Sequence, residues 1–502
     1  MKKTAIFFLL IGITVIVKSQ QMTISWIAQA GGPDWDIVTD IIELPDKQII
    51  MTGSFYDKIL FGGDTLYSNG ERDIFIASYN VNGVLNKVVS LGGSGYDYVR
   101  VIQSAGKSGF ILPIQFNNKL IVGTKMFEGI SSNNFLISLF DRDINLISHA
   151  QIGCNGELDI TNIEIASDND LYFSGWFTDS LKVEDSIYVA KDGKDMFLGK
   201  ISMQGKLKWV KQFGGDGHDM LSSFVSEKED FNYITGITRT GCFGSKMAPS
   251  DITKGMKHLF LSLIKNNGEI YSVFYPLKGL QIEPVGMLKD ENFVWLVANF
   301  QHSAFINGVE LLSYGNSDVV IIKIDINDGS VSYCQLGGTG KDQAIGLVKS
   351  GNSIVIAGLF TDKIPFATQE IIADNYGTDI FIASVNTNCL PENIWSIHGD
   401  KNEFPCSIFA SGTGIYIAGE FSGNLKSNKF ELMSSGNEDI FLARIENCIA
   451  RDPLNISVTQ KDNTHPLIYW ELDAGKGYVS YLWNDGASLS RYLTVFKSDE
   501  YS

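Results

Sequence analysis

The chain has 502 residues, 44% of them hydrophobic, with 31 Phe and 19 Tyr. That is ample for a packed core and too apolar for a disordered chain. The formal charge of −17 argues against nucleic acid and against an anionic membrane surface, since both require clustered Lys and Arg.

Lys2 and Lys3 precede an apolar run from Ala5 to Val17, and Val17-Lys18-Ser19 offers a small residue at a cleavage point. Residues 1–19 therefore read as a signal peptide, too short for a membrane span. The mature chain is expected to start near Gln20, to carry no transmembrane segment, and to be secreted or held on the outer cell surface.

From Gly31 onward a glycine-rich turn leads into an acidic residue and then an apolar strand. This arrangement recurs about every sixty residues. The clear copies are GGPDWD from Gly31, GGSGYD from Gly92, GGDGHD from Gly214 and GGTGKD from Gly337. Degenerate copies start at Gly153, Lys278 and His398. The carboxylates closing the turns are Asp36, Asp97, Asp159, Asp219, Glu283, Asp342 and Glu403. Each is expected to fix its own turn by accepting backbone N–H bonds, since a residue present in every unit serves the unit.

Within the first unit, Asp36 is followed by IVTDIIEL, the turn Pro45-Asp46-Lys47, QIIMTGSF, a long link, DIFIASYN, the hairpin signal Asn82-Gly83 and VLNKVVSL. These are four β-rich segments separated by turn residues. A four-stranded unit cannot bury both faces alone, and repetition in a ring solves this with only short edges left over. The last unit ends on DIFLARIEN with no fourth strand, while TISWIAQAGG from Thr23 precedes the first. The expected fold is thus an all-β, seven-bladed β-propeller of four-stranded blades over 20–448, closed by the N-terminal strand.

The units resemble the bacterial β-propeller repeat called SBBP: GGxGxD, then a Gly-x-Phe turn, then Asp-Ile-Phe. The second element is seen at Gly53-Ser54-Phe55, Gly175-Trp176-Phe177, Gly358-Leu359-Phe360 and Gly419-Glu420-Phe421. The third stands at Asp73-Ile74-Phe75, Asp379-Ile380-Phe381 and Asp439-Ile440-Phe441. The fourth and fifth units depart most, with Gly236-Ile237-Thr238 and Asn299-Phe300 in place of the Gly-x-Phe turn.

The period stops after Cys448. The segment 449–502, with Leu472-Asp473-Ala474-Gly475, Tyr481-Leu482-Trp483 and Asp485-Gly486, resembles the immunoglobulin-like modules of type IX secretion surface proteins. It is shorter than the roughly 100 residues of such a sandwich. A partial module is expected, with further C-terminal domains a possibility outside this chain.

Cys389 and Cys448 occupy matching places in neighbouring units and Cys406 lies between them, so a bridge among these three is one expectation; the other cysteines read as buried apolar groups. Catalytic motifs, metal-ligand spacings and cofactor fingerprints are absent from the sequence. No catalytic residue, metal or cofactor is assigned. Specificity is expected in the variable links between the second and third strands, where Tyr67, Phe127, Trp176, Tyr188, Phe305 and Tyr376 are candidates to stack on a sugar or a peptide. The chain reads as a non-catalytic scaffold binding a protein or glycan. Two alternatives stay open: a glycoside hydrolase or lyase with carboxylates at the channel mouth, and a spacer in a larger adhesin.

Overall fold

A computed structural model describes residues 23–446, apart from 215, 228–230, 240–241, 244–245, 248–254, 375–376, 413 and 428–429, together with the strands Ser457–Lys461, Tyr469–Asp473 and Tyr492–Phe496. The predicted signal segment, Cys448 and most of the C-terminal motif lie outside these residues. The chain divides into two units, Met22–Asn447 and a second made of Met1–Gln21 with Cys448–Ser502.

In the first repeat, strands Asp36–Glu43, Ile49–Phe55, Asp73–Tyr79 and Leu85–Leu91 pair in sequence order, all antiparallel. Ile49–Phe55 and Asp73–Tyr79 are buried at every position. Sheets stacked on both faces explain why these strands read as nearly unbroken apolar runs. Phe55, Phe75 and Phe110 are fully buried, each worth about 1.5–3 kcal/mol over exposure. The first strand carries a bulge between Val38 and Asp40, and the same bulge recurs in five other repeats, for example between Ala344 and Gly346 and between Pro405 and Ser407. It increases local twist at the innermost strand.

The structure corrects the expected count: among the described residues the strands form a six-bladed propeller arrangement, not seven four-stranded blades. In the second repeat the innermost strand is reduced to two pieces, Tyr98–Val99 and Gln103–Ser104, beside the long strands Phe110–Phe116, Asn133–Phe140 and Leu146–Cys154. The reason lies in the flanking repeats. Ile102 donates its N–H to Asp40 Oδ2 at 3.0 Å, and Arg100 reaches Asp159 Oδ2 at 2.6 Å. The Ile102 N–H that would have continued the ladder is thus taken by a side chain of the preceding repeat, while the Arg100 side chain ties the same stretch to the following one. The sheets are also not uniformly four-stranded. The links form short hairpins such as Ser180–Val183 with Ser186–Val189, and three of these extend the preceding sheet. They cover outer edges that would otherwise offer free pairing groups.

The strand expected from Thr23 runs Ile24–Ala30 and pairs antiparallel with Asp439–Ile445, Ile27 opposite Ala443. It completes the sheet of Glu403–Ser411 and Gly414–Phe421. Apolar clusters weld adjacent sheets, as where Val297 and Ile321 meet Ile356 and Phe381.

In the second unit, Ser457–Lys461, Tyr469–Asp473 and Tyr492–Phe496 form one three-stranded antiparallel sheet. Leu472 and Asp473 lie in its central strand. Among the described residues, no helix is long and apolar enough to cross a membrane.

Candidate functional site

The repeated turns set the frame. Asp36, Asp97 and Asp342 each accept the N–H of the glycine four residues earlier, Gly32, Gly93 and Gly338, at 2.6, 2.6 and 2.7 Å. All three are fully buried. A Cβ on Gly338 would lie 1.7 Å from the Lys363 carbonyl oxygen, so only glycine fits. The aspartate of each Asp-Ile-Phe caps its own link in the same way, Asp73 accepting from Asn69 N at 2.9 Å and Asp439 from Ser435 N at 3.0 Å. Burial pushes Asp36 up to about 8 and Asp97 and Asp342 up to about 7, helped in each case by a neighbouring carboxylate. Glu403 is pushed up to about 9, by burial first and by Asp379 second. Asp159 is instead ion-paired with Arg100, and Asp219 accepts the Arg239 N–H at 3.2 Å. Glu283 alone of the seven is exposed.

The aromatic candidates are not brought together. Tyr67 stands 65% exposed at the end of one hairpin. Phe127 is half-buried, edge-on to His149 at 4.8 Å. Trp176 carries the Lys194 ammonium over its ring at 3.2 Å, and Tyr188 packs on the third repeat's core. Phe305 is half-buried on a hairpin in the fifth repeat. Tyr376 lies outside the described residues. The five described aromatics sit on separate elements, four on link hairpins and Trp176 on the strand Leu171–Phe177, and none lines a cavity of about 450 Å³ between the fourth and sixth repeats.

That cavity, about 450 Å³, opens where the repeat pattern degenerates. In the fifth repeat the turn reads Lys278-Gly279-Leu280-Gln281-Ile282-Glu283, with Lys278 where the clear copies have their first glycine. Leu280 is 64% exposed at the rim, and Glu283 is exposed where Asp36, Asp97 and Asp342 are buried and bonded to a turn glycine. Ala298 stands for the glycine of Gly-x-Phe, and Asn299 at the variable position bonds both ways to the next inner strand: its amide donates to Ala344 O at 3.1 Å, and Ala344 N donates to its oxygen at 2.8 Å.

Two cations face this space. Arg239 follows the strand Phe231–Thr238 and Lys257 opens Lys257–Lys265, with its Nζ 3.2 Å from the Ile282 carbonyl oxygen. Burial lowers the Lys257 pKa, with Glu283 opposing and Arg239 reinforcing the shift. Neither cation has a carboxylate within 4.0 Å among the described residues, so the pair stands against one unpaired carboxylate. Gln281, Gln301 and Gln343 add amide donors and acceptors. Sequence reasoning missed Arg239, Lys257 and the three glutamines; the departure of the fourth and fifth units from the repeat was the available signal.

No family model matches the sequence, and no curated protein matches it. Among solved structures, the chain is similar to Pyrococcus horikoshii acylaminoacyl peptidase at 10% identity and a TM-score of 0.42, covering 88% of this chain and 58% of that one. The chain thus spans little more than half of the peptidase's length. It is also similar to a cobalt-substituted Synechocystis ACO structure at 10% identity and a TM-score of 0.36, covering 78% of this chain and 88% of that one. A further likeness is to the WD40 domain of SCAP from fission yeast, at 9% identity and a TM-score of 0.32, covering 85% and 96%.

Proposed function

We propose that this chain is an exported propeller scaffold, secreted or displayed on the outer surface, that binds a protein or glycan without chemically altering it. The export signal, the SBBP-like repeats and the C-terminal segment's resemblance to type IX secretion modules support the location. The observation that carries the binding reading is the polar cavity between the fourth and sixth repeats, formed where the structural role of the turn carboxylate is abandoned. Glycoside cleavage needs two carboxyl groups flanking one bond, and this cavity is lined by Glu283 alone among acidic residues. Probing the full chain against mixed glycan and peptide arrays tests the proposal. Binding that is lost in Arg239→Ala and retained in Tyr67→Ala supports it. Absence of any bound ligand favours the spacer reading.

A further inference from the structure

We infer that the cavity takes a sugar bearing a single carboxylate, such as a uronic acid within an acidic oligosaccharide. The inference rests on the binding reading above and narrows it to a ligand class.

Charge is the first argument. The chain as a whole carries −17, yet this cavity presents Arg239 and Lys257 against Glu283, a formal excess of one positive charge. The Lys257 ammonium is steered by the Ile282 carbonyl oxygen and partly desolvated. The Arg239 guanidinium has no ion-pair partner among the described residues, so its planar fork is open to a carboxylate, the group it matches bidentately. A single excess charge matches a monoanion, whereas Glu283 would repel a doubly charged phosphate ester.

The remaining lining suits a polyhydroxylated body. Gln281, Gln301 and Gln343 each offer a donor and an acceptor, the inventory that vicinal hydroxyls require. Glu283, exposed and without a turn bond, is a further acceptor for a hydroxyl. Leu280 presents apolar surface at the rim for the C–H face of a pyranose ring. The volume of about 450 Å³ lies within the roughly 300–1,000 Å³ of small-molecule sites.

The test is isothermal titration of the full chain with uronate trisaccharides (galacturonate, glucuronate and mannuronate), their methyl esters, and the matching neutral and sulfated trisaccharides. At least one uronate is expected to bind, its methyl ester about tenfold or more weaker, with a similar loss in Arg239→Gln and in Lys257→Gln. Glu283→Gln is expected to leave uronate affinity equal or higher. Circular dichroism of each variant separates lost binding from lost fold. Equal affinity for acid and ester, preference for the sulfated sugar, or uronate binding indifferent to Arg239→Gln overturns the inference. If neutral sugars or peptides bind in an Arg239-dependent way, the scaffold reading stands and the acidic-sugar inference falls. If nothing binds here or on the arrays, both fall.

Discussion

Cys334 and Cys389, from adjacent repeats, face each other with their Sγ atoms 3.5 Å apart, and both thiols are free. The expected partners of Cys389 were Cys406 and Cys448. Cys406 instead lies within 3.5 Å of Glu420 Oε1, and Cys448 falls outside the described residues. Hydrogen bonding to Cys334, reinforced by Lys323, lowers the Cys389 pKa, while the same bond and burial raise that of Cys334.

This pair predicts a bond between neighbouring blades under oxidising conditions. Treatment with oxidised glutathione should transfer two electrons and two protons from the thiols to the reagent, leaving a Cys334–Cys389 disulfide and two reduced glutathiones. Peptide mass mapping should show the linked pair. The stabilisation, about 4 kcal/mol or less for a loop of 55 residues, should vanish in Cys334→Ser. Recovery of both thiols in titratable form after oxidation and denaturation would count against it.

Glycine replacement should separate the turns by geometry. Gly338→Ala places a Cβ 1.7 Å from a backbone oxygen, and Gly32→Ala places one 2.0 Å from another. Each should cost about 3 kcal/mol in denaturant unfolding. Gly63→Ala, where a Cβ would meet nothing within 4 Å, should stay within about 0.5 kcal/mol of the parent.

Buried turn carboxyls should make stability fall as pH rises. Asp36, Asp97, Asp342 and Glu403 have folded pKa values of about 8, 7, 7 and 9 against ordinary values near 4. The native state therefore binds more protons, and this contribution, fully present below the ordinary value, is lost as pH climbs from about 4 through 7–9. Each group contributes a slope of at most about 1.4 kcal/mol per pH unit. Asp97→Asn should flatten the profile while keeping the turn, because an amide oxygen can accept the Gly93 N–H. The second repeat already uses Asn134 in place of an Asp-Ile-Phe aspartate, its Oδ1 accepting from Ile130 N at 2.8 Å. A stability profile rising from pH 5 to 8 would sink this reading.

Asp40 links three repeats. Its carboxylate accepts the Ile102 N–H at 3.0 Å and the Ser407 hydroxyl at 2.7 Å. Asp40→Ala should leave these two donors and the Ile41 N–H without the carboxylate and destabilise the propeller by about 2–3 kcal/mol, read by chemical denaturation. Arg100→Ala should cost less, about 1 kcal/mol, because the arginine side chain is 57% exposed and its ion pair is screened.

The repeat was legible because its signals are local. Gly32, Gly93 and Gly338 are fixed by close approach of a nearby backbone, and the strand after each acid follows from apolar patterning. The candidate site was legible only as a defect: Lys278 and Ala298 break a pattern, but which groups fill the resulting space depends on Arg239, Lys257 and Gln343 from other repeats. The aromatic candidates were chosen by position in or beside variable links, and the fold keeps the described ones apart, with Trp176 in a blade strand and already covered by Lys194.

By itself the sequence determined an all-β chain of repeated sheets and the strand from Ile24 that completes the last one, because turn chemistry and strand periodicity act over a few residues. Only the tertiary structure decided that the second repeat is incomplete, that Cys389 meets Cys334, and that two cations converge on one cavity. Those outcomes depend on side chains tens to hundreds of residues apart, such as Asp40 and Ser407, whose meeting is set by how the sheets stack and not by any local preference.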